Sequence, residues 1–218
     1  MHQLTPTVSL ESLGVWLSLA GFGIYHGLNP AMGWLFALAR GLQQETTRAI
    51  WLALIPIALG HAASIALAAG AVVALHEVLS LDVLEWVTAG LLIGFGVYKL
   101  VNWYRHPRWV GMRVKWHELA GWSFLMATAH GAGLMAAPAL LGVMTVEHSS
   151  HMHHASSSNV WLGVGLHTLA MLLTMAVIAW VVYWKLGLKV LRQGWVNFDL
   201  IWSVALIAVG GIALVAAA

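Results

Sequence analysis

The sequence predicts an all-α integral membrane protein of six transmembrane helices, arranged as two inverted three-helix repeats with the first helix broken at HGLNP. Three observations predict it. Of the 218 residues, 61% are hydrophobic and only 8% are charged, against about 25% charged in an ordinary soluble domain. Six apolar stretches, roughly 13–39, 49–76, 82–104, 118–144, 159–184 and 198–217, approach or exceed the ~20 residues needed to cross the hydrocarbon. Histidines recur in the first two stretches of each half at nearly equal sequence separation, His26 with His130 and His61 with His167.

These stretches leave no room for a sizeable soluble domain. There is no cysteine, which excludes disulfides, thiolate metal sites and thiol redox chemistry. The opening segment MHQLTPTVSLES has no basic residue ahead of the apolar run, so the first span is expected to be retained rather than cleaved as a signal peptide. All basic residues fall at or between the spans on one side: Arg40 and Arg48, then Lys99, Arg105, Arg108, Arg113 and Lys115, then Lys185, Lys189 and Arg192. Cytoplasmic connections carry the excess of Lys and Arg. Both termini and the connections near residues 80 and 150 are therefore expected outside, in a prokaryotic cytoplasmic (inner) membrane. The net charge of +2 is a topology signal and gives no argument for a nucleic-acid partner; the lipid bilayer is the expected one.

Span one carries YHGLNP, residues 25–30. Pro30 removes a backbone donor and strains the carbonyl four residues earlier, that of His26. Asn29, before the proline, is biased away from helical geometry. A discontinuous helix at membrane depth is tolerated where it is buried in protein or lines a cavity, so the segment is expected to present an imidazole, an amide and a free carbonyl. The plainer alternative is a proline kink. Span two carries LGHAAS with Gly60 and His61, and span three carries GLLIGFGVYKL. The connection HPRWVGMRVKWH, 106–117, mixes basic and indole side chains and is expected to lie along the inner surface.

Span four repeats the first motif as AHGAGL, with His130, Gly131 and Gly133; Pro138 is its candidate for a matching break. Span five carries GLHTLA with His167, and span six carries LIAVGGIALV. The chain thus divides into repeat one, 1–105, and repeat two, 106–218. Because each unit has an odd number of spans, the second is inserted upside down, an arrangement that puts a transporter's site at the repeat interface near the midplane. The tryptophans, thirteen in all, fall mostly at span ends and read as headgroup-level anchors.

A single histidine in a membrane helix is ordinarily a core hydrogen-bonder. Four on four helices, at repeat-related positions beside Gly27, Gly60, Gly131 and Gly133, point to a shared ligand, since imidazole is the commonest metal ligand. No Asp or Glu lies at the centre of a span; Glu85, Glu118 and Asp199 are near ends. That disfavours magnesium and calcium and favours zinc, nickel, cobalt, copper or iron. The candidate metal residues are His26, His61, His130, His167 and Asn29. The outward connection EHSSHMHHASSSN, 147–159, adds His148, His151, Met152, His153 and His154 as a metal-capture loop. Its plain alternative is a solvated linker. Met152, with Met126 and Met171 each four residues from a membrane histidine, would suit Cu(I). No Ser-His-acid grouping or H-E-x-x-H is present within the spans, so an enzyme is not expected.

The motifs YHGLNP, GHAAS, AHG and LHT, with a separate His-rich loop, resemble the nickel/cobalt transporter and urease-accessory membrane protein families, part of a superfamily of small three-plus-three transporters. The resemblance implies transport of a divalent transition metal through His26, His61, His130 and His167, with import favoured by the outward loop. Where those families often carry an aspartate beside the first-half histidine, this chain has Asn29. Two other readings stand beside it: a membrane protein binding haem b through paired imidazoles, and a non-catalytic subunit of a homo-oligomer or larger membrane complex.

Overall fold

The computed structural model describes residues 10–102, 115–148, 156–186 and 198–218, and every regular element among them is helical. These are α1 (Leu10–Leu28), a 3₁₀ turn (Pro30–Met32), α2 (Trp34–Gln43), α3 (Thr47–His76), α4 (Leu81–Val101), α5 (Trp116–Ala129), α6 (Ala132–His148), α7 (Ser156–Val181) and α8 (Phe198–Ala216). A π turn, Val182–Leu186, extends α7. Of the histidine-rich loop, His148 closes α6, while His151, Met152, His153 and His154 lie outside the described residues, as does most of 106–117.

The first stretch is broken where Asn29-Pro30 predicts. Asn29 leaves the helix with φ −70° and ψ 120°, its Oδ1 accepts the Ala31 amide at 3.0 Å, and Gly33 closes the turn at φ 126°. A Cβ at Gly33 would meet the Ile57 side chain at 2.9 Å. The Trp34 indole donates to the Leu28 carbonyl at 3.3 Å, tying α2 back across the gap. Gly33→Ala is therefore expected to cost about 1–3 kcal/mol through strain at positive φ, measured as a lower unfolding midpoint in detergent.

The matching break in the second half differs from expectation. Pro138 sits inside α6, and the discontinuity falls at His130-Gly131, where Gly131 has φ 69° and the axes of α5 and α6 bend by 68°. The orphan carbonyl of Ala129 accepts from Lys99 Nζ at 3.3 Å, a cation at a helix C-terminus. The left-handed conformation at Gly131 breaks this helix, and the interior proline is accommodated.

Three helical segments are long and apolar enough to cross a membrane: α3, α4 and Asn159–Lys185. Counting the bent α5–α6 pair gives up to four, and the apolar parts of α1 and α8 are shorter. Six full-length spans are thus not found among the described residues. The break at Asn29 shortens the first, which has 19 residues, and α8 has the same number.

Small residues set the packing. Gly23 on α1 faces the His167 carbonyl and Ala170 on α7, and a Cβ at Gly27 would lie 2.6 Å from the Met171 carbonyl; the two helices therefore run parallel. Gly60 on α3 abuts the Ala120 carbonyl on α5. Ser123 Oγ donates to the Ile57 carbonyl at 2.7 Å, and Ser64 and Thr128 hydroxyls pair at 2.9 Å, so α3 and α5 also run parallel. Gly96 on α4 packs on Ser203 and Ile207 of α8, and Gly210 on α8 packs on Ala89 and Leu92 of α4, an antiparallel pair. α3 also packs against α7.

Candidate metal centre

Three helices and the break between α5 and α6 deliver the expected histidines to the interior. His26, His61 and His167 are 0% exposed and His130 is 6% exposed. The first three form one cluster, with ring centroids 5.5 Å apart for His26–His61, 4.8 Å for His26–His167 and 5.6 Å for His61–His167. The last two rings are parallel within 1°, and their Nε2 atoms lie 3.4 Å apart. The Trp202 indole packs on both His26 and His130, 4.6 Å from the first and 5.7 Å from the second by ring centroids.

The tautomers follow from the backbone. A carbonyl only accepts, so each ring nitrogen facing one carries the proton. His26 Nδ1 donates to Phe22 O at 2.7 Å, His130 Nδ1 to Met126 O at 2.9 Å, and His167 Nδ1 to Leu19 O at 3.2 Å. For His26 and His167 the tie leaves Nε2 as the nitrogen with the lone pair, the second-shell arrangement typical of metal-binding histidine. His26 Nε2 is buried without a hydrogen-bond partner. For His61, a proton on Nε2 gives a long bond to His167 Nε2 and leaves Nδ1 a buried, unpartnered acceptor. A proton on Nδ1 instead sets two lone pairs face to face. An orphaned buried polar atom costs about 1–3 kcal/mol, and a cation between the two nitrogens removes the second difficulty.

The spacing suits such an ion. Two nitrogens held about 2.0–2.1 Å from one centre in tetrahedral disposition lie roughly 3.3–3.4 Å apart. Among the described residues, no group of three or more His, Asp or Glu side chains is set to hold a metal ion as arranged. The structure supplies a pair at ligand spacing, with His26 packed against both rings.

Asn29 is buried, but its amide oxygen is engaged by the Ala31 amide. That contact shapes the turn. Nor is the His26 carbonyl free: it accepts the Asn29 amide at 3.2 Å, because the chain tightens at the proline.

Trp202, 1% exposed, belongs to the centre, although nothing in the sequence sets it apart from the other tryptophans. It stacks on Tyr25 with centroids 5.0 Å apart, and its indole N–H donates to the His130 carbonyl. Its place near the start of the last apolar stretch matches that of an interfacial anchor, a role that the exposed Trp86, Trp116, Trp161 and Trp184 fit. Trp202→Phe keeps an aromatic ring but removes that donor, and is expected to destabilise the fold by about 1–3 kcal/mol, read from the unfolding midpoint.

Comparison with family models, curated proteins and solved structures finds no match to this chain.

Proposed function

We propose that this chain is an integral membrane transporter for a transition-metal cation. The ion is substrate, bound by His61 and His167 with His26 beside them, at the interface of two inverted three-span units. The observation that carries this reading is the trio itself: fully buried imidazoles from three helices, two with Nδ1 tied to carbonyls and two with Nε2 atoms at ligand spacing.

Three features support the membrane setting. Leu59, Leu67, Leu162, Leu173, Val177 and Ile212 are each more than half exposed, an apolar outer surface that fits lipid better than water. Long apolar helices are present, and the basic residues collect in alternate connections, the cytoplasmic pattern of a bacterial inner membrane protein. Reciprocal packing supports the inverted repeat: α1 runs parallel to α7 as α3 runs parallel to α5, while α4 and α8 are antiparallel. Each unit opens with a helix broken next to a His-Gly pair. Movement of one unit against the other would expose the trio to alternate faces, with both termini and residues 147–159 outside and import the favoured direction. The nickel/cobalt transporter resemblance agrees with this class of activity.

Uptake of metal into cells or proteoliposomes tests it. Wild-type protein is expected to accumulate ion, and His26→Ala, His61→Ala and His167→Ala to lose that accumulation while remaining folded in the membrane. Undiminished uptake by all three would refute the reading. Deleting 148–154 is expected to lower uptake at scarce metal and spare it at abundant metal, as a capture loop requires.

A further inference from the structure

We propose that the cation taken by this centre is soft and monovalent, Cu(I), and that Met171, Met175 and Met32 form a thioether arm continuing from the histidines; this rests on the metal-transport reading above. Met171 and Met175 follow His167 at successive four-residue steps on α7, which puts all three on one helix face. All three are 0% exposed. Met32, in the 3₁₀ turn three residues after Asn29, is 1% exposed and belongs to the same packed cluster as Met171 and Met175. Gly27, adjacent to His26, abuts the Met171 carbonyl. The methionines thus lie on the side of the trio toward α2 and the N-terminal half of α3.

The other half of the molecule controls for packing. On α3, the positions one and two steps beyond His61 are Ile65 and Ala69, also fully buried, in the cluster on the opposite side of the histidines. The residue of the second broken helix that corresponds to Met32, by the spacing of the two His-Gly pairs, is Ala136. Equivalent positions pack well with plain hydrocarbon, so the fold does not demand sulfur on one side. Thioether and imidazole together are ligands for Cu(I).

Charge points the same way. The buried polar side chains among the described residues are imidazoles, hydroxyls and the Asn29 amide, with no carboxylate. A neutral site leaves the charge of the ion uncompensated, and the Born cost of that burial rises with the square of the charge, about fourfold from +1 to +2. Nickel, cobalt or zinc as divalent ions would carry that larger cost, while Cu(I) would not. His26 Nε2, buried and without a hydrogen-bond partner, adds a third neutral donor beside the pair.

The test uses detergent-purified protein lacking 148–154, prepared without a metal-affinity step. Its four membrane histidines are intact, and it is titrated with Cu(I) against a Cu(I)-specific chelator, with Ag(I) as a redox-inert probe, and with Ni(II), Co(II) and Zn(II). The expected result is near-stoichiometric Cu(I) and Ag(I) at least tenfold tighter than any divalent ion. Met171→Leu/Met175→Leu, close in volume, is expected to weaken Cu(I) by tenfold or more without weakening divalent ions. Tighter divalent binding, or Cu(I) affinity unchanged by the methionine replacements, overturns the inference and leaves a histidine metal site standing. Absence of binding by every ion, or equal binding after His26, His61 and His167 are all replaced by alanine, overturns the metal reading beneath it as well.

Discussion

His61→Ala and His167→Ala are each expected to lower the affinity for the transported cation by about 100-fold or more, while the variants remain folded and monodisperse in detergent. Second-shell partners of a metal ligand alone carry about 10–100-fold in affinity, and these residues supply the two nitrogens 3.4 Å apart. His26→Ala belongs with them, because its ring packs against both. His130→Ala is expected to weaken binding less than the other three, since its ring packs on Trp202, which in turn packs on His26. Removing either member of the pair ends the face-to-face contact of two lone pairs, which offsets part of the cost of the cavity left behind. Metal titration of the four single variants checks this ordering. A uniform loss across all four would place His130 in the same shell as the others, against the geometry.

Gly60→Val is expected to damage the fold more than any single histidine replacement. A side chain at residue 60 would run into the Ala120 backbone carbonyl and approach the Phe124 amide at 3.0 Å. Backbone cannot rotate aside as a side-chain tip can. Overpacking of this kind costs about 1–3 kcal/mol, and more where backbone must shift, which for a chain of this size lowers the unfolding midpoint by roughly 5–10 °C. Gly90→Val is the matched control, because nothing lies within 4 Å of a Cβ there. The two midpoints, measured in the same detergent, should separate by that interval. Equal midpoints would mean that α3 and α5 are not held in backbone contact.

Much of this arrangement is legible in the sequence. Asn29-Pro30 marks the first break because the residue before proline is steered away from helix and proline cannot donate, both local effects. The second break is not legible in the same way. Gly131 is one of several glycines in its stretch, and a left-handed glycine reads like a packing glycine until φ is known, while Pro138 offers a false signal nearby. The four histidines stand out because polar groups in apolar helices are rare and costly. Their division into three and one depends on helix rotation and on Trp202, which the sequence presents as another anchor. Asn29 shows the same limit: a buried amide beside a histidine suggests a ligand, yet its oxygen serves a turn two residues away.

The central claim, a cation held by His61 and His167 with His26, is tested most directly by the metal content of purified protein. Protein lacking 148–154, exposed to a transition-metal mixture and washed, should retain close to one ion per chain; replacing His26, His61 and His167 together by alanine should release it. A chain that retains no ion, or a triple variant that retains as much as its parent, would contradict the account.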